Sequence, residues 1–109
     1  MTINITLPSM NGNRVSGESL AREALRDEPR TDEAVIYARA AALATWTFVD
    51  GLVSVLVAAG VTKIRMFGAG EKLVELMEWQ AENSESPFIF SREYATPERF
   101  RDWLPRSRR

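Results

Sequence analysis

The chain of 109 residues contains no cysteine and no histidine. The first absence excludes disulfides, thiolate metal sites and cysteine nucleophiles. The second removes the commonest general base, the usual nitrogen ligand for metals and the side chain that senses physiological pH. A dominant charge is lacking too: 14 Lys and Arg stand against 15 Asp and Glu, a formal net charge of −1. Nothing therefore pulls the whole molecule toward nucleic acid or an anionic membrane. Long apolar runs are also missing. The longest stretch, Phe48 to Ala59, is interrupted by Asp50 and Ser54 and falls short of the ~20 residues that span a bilayer. Met1-Thr-Ile-Asn-Ile-Thr-Leu7 has no basic region ahead of an apolar run, so no signal peptide is expected and the expected setting is cytoplasmic.

What is present is an ordinary globular composition, 45% hydrophobic and 27% charged, with room for one core. Thr2 to Leu7 alternates Ile3, Ile5 and Leu7 with Asn4 and Thr6, the period of a half-buried strand. Asn11-Gly12-Asn13 is a turn signal that could open a hairpin through Val15. Ser16 reads as the N-cap of a helix running to about Arg26, with Leu20, Ala21, Ala24 and Leu25 on one face. The charged, proline-bearing stretch 27–33 stops that helix. Ala34 to Ala38 is a short apolar strand, and 40–44 reads as a loop. A helix follows from Thr47 to Ala59, capped by the hydroxyl of Thr45 or Thr47. It buries Phe48, Leu52, Val55, Leu56 and Ala59, and gathers Thr47, Asp50, Gly51, Ser54 and Ala58 on a narrow small or polar strip. Gly60 supplies the left-handed position that ends it, and Val61 to Phe67 is the next strand.

Strand, helix and strand with short joints make a βαβ unit, which selects an α/β architecture. The expected fold is a single small α/β domain with this central βαβ unit. Gly68-Ala69-Gly70 turns into a helix from Glu71 to about Glu82. Leu73, Leu76, Met77 and Gln80 face inward, while Trp79 falls beside the acidic side of Glu75, Glu78 and Glu82. Pro87 to Ser91 is a last strand. Thr96-Pro97-Glu98 starts a short helix holding Phe100, Trp103 and Leu104, and an arginine-rich tail ends the chain. Residues 1–92 thus form the domain, and 93–109 a helix and basic tail packing on it or extending from it.

Four features are candidates for chemistry. Gly68 and Gly70 sit where backbone N–H groups can face a phosphate, but the third glycine of a dinucleotide fingerprint and the lysine–hydroxyl pair of a P-loop are missing. A tight turn is the simpler reading; the alternative is a small-ligand or nucleotide-binding module. Asp27, Glu28, Asp32 and Glu33 lie in one run with Arg26 and Arg30, a pattern normally solvated. Arg99, Arg101, Arg106, Arg108 and Arg109 with Phe100 and Trp103 suggest a nucleic-acid-binding adaptor, although the helical spacing of the aromatics favours docking on the domain. Thr45 and Thr47 are either helix caps or phosphoacceptors, since a phosphate at a helix N-terminus is stabilised by the free N–H groups. No constellation supports an enzyme, and no cofactor or metal is implied. An indole beside an acidic face calls for cover, from the C-terminal segment or from a homodimer or partner interface at the Trp79 face.

The order strand, apolar helix opening Thr47-Phe48-Val49-Asp50-Gly51-Leu52, Ala58-Ala59-Gly60, strand, Phe67-Gly68-Ala69-Gly70, helix resembles the STAS superfamily of anti-sigma-factor antagonist domains. It looks most like the STAS-like branch, whose corresponding helix opens Ser-Phe-Ala/Val-Asp-Glu-Leu. The segment Ser16-Gly17-Glu18…Leu20-Ala21-Arg22 also resembles the region these domains place before their central strand. The resemblance covers about residues 1 to 82. It implies a STAS-like mixed sheet with helices mainly on one face, and a non-catalytic regulatory domain that binds another protein, such as a histidine-kinase-like ATPase or a sigma-type regulator, through the central helix and the loop before it. Trp46, Thr47, Asp50, Gly51 and Ser54 would then meet the partner, with Thr45 or Thr47 in the place of the phosphoacceptor.

Overall fold

The computed structural model describes residues 2–84 and 86–93. Strand β1 (Thr2–Thr6) alternates exposed and buried side chains as its period of two requires. A two-residue strand β2 (Met10–Asn11) follows, then helix α1 (Arg14–Ala24). The expected hairpin does not form. Asn13 is the N-cap in place of Ser16: its Oδ1 accepts the Ser16 backbone N–H at 2.8 Å, a role for which Asn ranks with Ser. The turn signal therefore starts a helix two residues before the expected cap.

Strand β3 (Glu33–Tyr37) leads through a loop holding β4 (Leu43–Ala44) into helix α2 (Trp46–Ala58). Gly60, at φ 101°, ends that helix as expected. Strand β5 (Lys63–Phe67), helix α3 (Glu71–Asn83) and strand β6 (Ile89–Glu93) complete the described chain. The helix expected from Thr96 and the arginine-rich tail lie outside the described residues.

The main sheet has four strands in the order β1-β3-β5-β6. Every described pairing is parallel, including the small β2–β4 ladder, so the sheet is more regular than the mixed one implied by the resemblance. Its order follows the chain, so each crossover steps the same way, and the right-handed rule then puts α1, α2 and α3 on one face. Burial agrees. The register aligns Ile3, Ala34, Ile64 and Phe90 in one row and Ile5, Ile36 and Met66 in another. These side chains pack in one cluster with Ala21, Phe48, Leu52, Leu56, Leu73 and Met77 from the helices. The rows between them, including Asn4, Val35, Arg65 and Ser91, or Thr6, Tyr37, Phe67 and Glu93, point to the opposite face.

Helices α1 and α2 touch through glycine. A Cβ on Gly17 would stand 2.9 Å from the Leu52 backbone nitrogen and closer still to the Phe48 carbonyl oxygen. A Cβ on Gly51 would stand 2.5 Å from the Arg14 carbonyl oxygen. Each glycine thus admits the backbone of the other helix.

Candidate functional site

The N-terminus of α2 is built first by its cap. Thr45 Oγ1 accepts the Phe48 backbone N–H at 3.3 Å and lies 3.3 Å from Thr47 Oγ1. Between the two hydroxyls left open by the sequence, Thr45 is the cap, and Thr47 is exposed on the first turn. Trp46 begins the helix and is 47% exposed.

From Trp46, helical spacing carries one side of α2 through Asp50, Val53, Ser54 and Val57. These residues form one wall of an open groove of about 470 Å³, and Trp79, Gln80 and Asn83 of α3 form the other. The two indoles meet edge to face, 5.2 Å between ring centroids and 68° between planes, a favoured geometry for aromatic pairs. Trp79 remains 52% exposed, on the outer side of α3 as the sequence predicts. Part of its cover therefore comes from Trp46; the C-terminal segment expected to provide it lies outside the described residues.

Asp50 lines the groove but already has internal partners. It forms an ion pair with Arg14 of α1 and accepts a hydrogen bond from Gln80 Nε2 of α3 at 3.1 Å. One carboxylate thereby ties all three helices together and sets the spacing of the groove walls. Ser54 is exposed there. Gly51 is not part of this surface. It is buried against Arg14, so the backbone it admits is that of α1 and not a partner's. The expectation that Gly51 meets a partner is corrected on this point.

The Gly68–Gly70 turn has a conformational explanation. Gly68 adopts φ 77°, a region costly for other residues, and a Cβ there would stand 3.1 Å from Arg39 Cα and Cβ. Gly70 is the N-cap of α3 without a side-chain capping bond. The Glu71 carboxylate lies in the first turn, where the helix dipole favours it, and Arg92 Nη1 approaches its Oε2 at 3.1 Å. Among the described residues no group of three or more Asp or Glu side chains has a metal-holding arrangement, and no helix is long and apolar enough to cross a membrane.

Sequence reasoning grouped Trp46, Asp50 and Ser54 with Thr47 and Gly51 on one surface and left Trp79 exposed on its own helix, but did not bring Trp79 to that surface. It missed Val53, Val57 and Asn83 as groove residues and Gln80 as the partner of Asp50. Their common signal is register between two helices, which no single-helix projection contains. No protein-family profile, curated protein or solved structure matches this chain.

Proposed function

We propose that this protein is a non-catalytic regulatory domain that binds another protein, resembling the anti-sigma-factor antagonists, and that the partner docks in the groove between α2 and α3. The observation that carries this reading is the Trp46–Trp79 pair, two adjacent half-exposed indoles beside a groove whose spacing is fixed by the Arg14–Asp50–Gln80 links. Tryptophan is the side chain most enriched among binding hot spots, and truncating one at the centre of an interface typically costs 2 kcal/mol or more. Exposed indole is itself unfavourable, at roughly 25 cal/mol for each Å² of apolar surface, so covering this pair drives association. The resemblance supplies the kind of partner, a histidine-kinase-like ATPase or a sigma-type regulator.

Calorimetric titration with such a partner encoded beside this protein tests the reading. Trp79→Ala and Trp46→Ala are each expected to weaken binding by about 30-fold, the equivalent of ~2 kcal/mol, with little change in melting temperature. Parental affinity in both variants would remove the groove from consideration. Sedimentation of the chain alone then separates a partner site from self-association through the Trp79 face, since the latter makes the sedimentation coefficient depend on concentration.

Phosphorylation at the head of α2 is the second part of the proposal, and Thr47 is favoured because it is an exposed residue of the first turn while the Thr45 hydroxyl serves the cap. Peptide mapping after incubation with the cognate kinase and ATP is expected to place the phosphate on Thr47, and Thr47→Ala to remove it. Thr45→Ala should act differently, lowering stability by ~1 kcal/mol through loss of the cap. A phosphate mapped to Thr45, or none with an active kinase, defeats this assignment.

A further inference from the structure

Helix α3 carries Glu71, Lys72, Glu75, Glu78 and Glu82, one cation against four carboxylates. Spacings of four, three and four line the glutamates along one side of the helix, away from the buried Leu73 and Met77. Glu71 is paired with Arg92. Glu75, Glu78 and Glu82 are exposed and have no ion-pair partner among the described residues. This acidic stripe borders the groove at Trp79. The indole follows Glu75 by four residues and precedes Glu82 by three, so both carboxylates are its neighbours on the helix surface. Glu78 lies farther round, on the side away from α2.

The other wall offers no such charge. On α2 the groove is lined by Trp46, Val53, Ser54, Val57 and Ala58, and its one carboxylate, Asp50, is already paired with Arg14. The surface is thus an uncharged bed with an aromatic pair and one acidic rim. A half-exposed indole between two unpaired carboxylates suits a guanidinium, which stacks on the ring and donates to the carboxylates at once. Both walls are helices of 13 residues, about 20 Å long, which matches a third helix of three to four turns laid between them.

We propose that the partner's docking segment is a basic amphipathic helix. Its apolar side lies along Val57 and the two indoles, and an arginine on its flank stacks over Trp79 between Glu75 and Glu82. This rests on the groove reading and names the chemistry that the groove recognises. The acidic rim disfavours nucleic-acid phosphates and anionic lipid as occupants. An isologous contact with a second copy would set the rim against itself.

The test uses the full chain and three synthetic peptides of about 18 residues, long enough to be helical. One has leucine and arginine in amphipathic order, the second has glutamate in place of every arginine, and the third is a scramble of the first. Calorimetry is expected to show binding by the first alone, with amide shifts confined to α2 and α3. Glu75→Lys with Glu82→Lys should weaken it about tenfold or more, since attraction becomes like-charge repulsion, and Glu78→Lys by less than about twofold. Arg99→Glu with Arg101→Glu should leave the affinity unchanged; a gain would mean that this chain's own arginines hold the site, and would overturn a separate partner. No binding by the ordered arginine peptide, equal binding by the glutamate or scrambled peptide, or an equal loss from Glu78→Lys would also overturn the proposal. If Trp79→Ala still weakens binding of the natural partner in those cases, the groove reading survives without it; parental affinity of that partner for both Trp79→Ala and Trp46→Ala removes the two together.

Discussion

Replacing Gly17 by alanine is expected to destabilise the protein by roughly 3 kcal/mol or more, although alanine is the better helix former. Two effects oppose each other. Helix propensity alone favours alanine by about 1 kcal/mol. Against it, the new methyl would lie 2.9 Å from the Leu52 nitrogen and closer still to the Phe48 carbonyl oxygen. Both obstacles are backbone atoms of a helix that is itself packed against the sheet, so no flexible side chain can give way. The helices must part, and separating them loosens Ala21, Phe48 and Leu52, which are at most 1% exposed. Overpacking of a well-fitted core costs typically 1–3 kcal/mol and occasionally more, and here the obstacle is backbone, which places the cost at or beyond the upper end. For a domain whose total stability is about 5–15 kcal/mol, such a loss should lower the melting temperature by more than about 10 °C. Urea titration checks it through the midpoint, with the slope unchanged if the unfolded state is unaffected. A gain of about 1 kcal/mol would mean that propensity wins and that the helices are not in backbone contact. Gly51→Arg should behave still worse. Arg14 already fills the space beside Gly51 and its carbonyl oxygen would be 2.5 Å from the Cβ, so this variant is expected to unfold, and its failure to bind a partner would say nothing about a partner surface.

These two glycines mark where the sequence was legible and where it was not. The small residues at 17 and 51 announce that some backbone comes close; only the fold says that each receives the other's helix. The strands around Ile3, Ile36 and Ile64 were readable because side-chain period and burial are the same physical fact. So were the end of α2 at Gly60 and the exposed position of Trp79, each a local consequence of backbone or helical geometry. The ladder of Met10–Asn11 with Leu43–Ala44 left no readable trace, since a pair of two-residue strands has no period. The cap moved from Ser16 to Asn13 because both residue types suit the position and the choice depends on where the loop from β1 arrives. The groove was hidden for a similar reason: the meeting of Trp46 with Trp79 depends on how far α2 and α3 are displaced along each other.

Asn11 carries the other large effect. Its side chain is fully buried, and Nδ2 donates to the Pro8 carbonyl at 2.7 Å and the Leu43 carbonyl at 2.9 Å. Its backbone carbonyl accepts the Thr45 N–H at 3.0 Å, while Oδ1 is buried without a hydrogen-bond partner among the described residues. One amide thus clamps the loop entering α1 to the loop entering α2, two residues from each helix cap. Asn11→Asp keeps the shape and removes both donors, and a buried carboxylate then faces two carbonyl oxygens. Leaving buried polar groups unsatisfied costs about 1–3 kcal/mol each, more when charged, so a loss of roughly 3 kcal/mol or more is expected at neutral pH. The pH dependence supplies the signature. Burial without a cation raises the folded-state pKa of the introduced carboxyl above its unfolded value. The variant is then least destabilised at low pH, where the acid is neutral and can donate one bond; the penalty grows as pH rises past the unfolded pKa of about 3.9 and levels off above the raised folded value. Asn11→Leu, of similar bulk and no charge, should lose stability without that slope. Parallel urea titrations of both variants across the acid range check this, and a pH-independent loss equal in the two would mean that packing at position 11, not its hydrogen bonds, holds the loops. Because Trp46 follows the clamped loop directly, the Asn11→Asp variant should also lose the Trp46–Trp79 contact at neutral pH before the domain unfolds, and recover it on acidification.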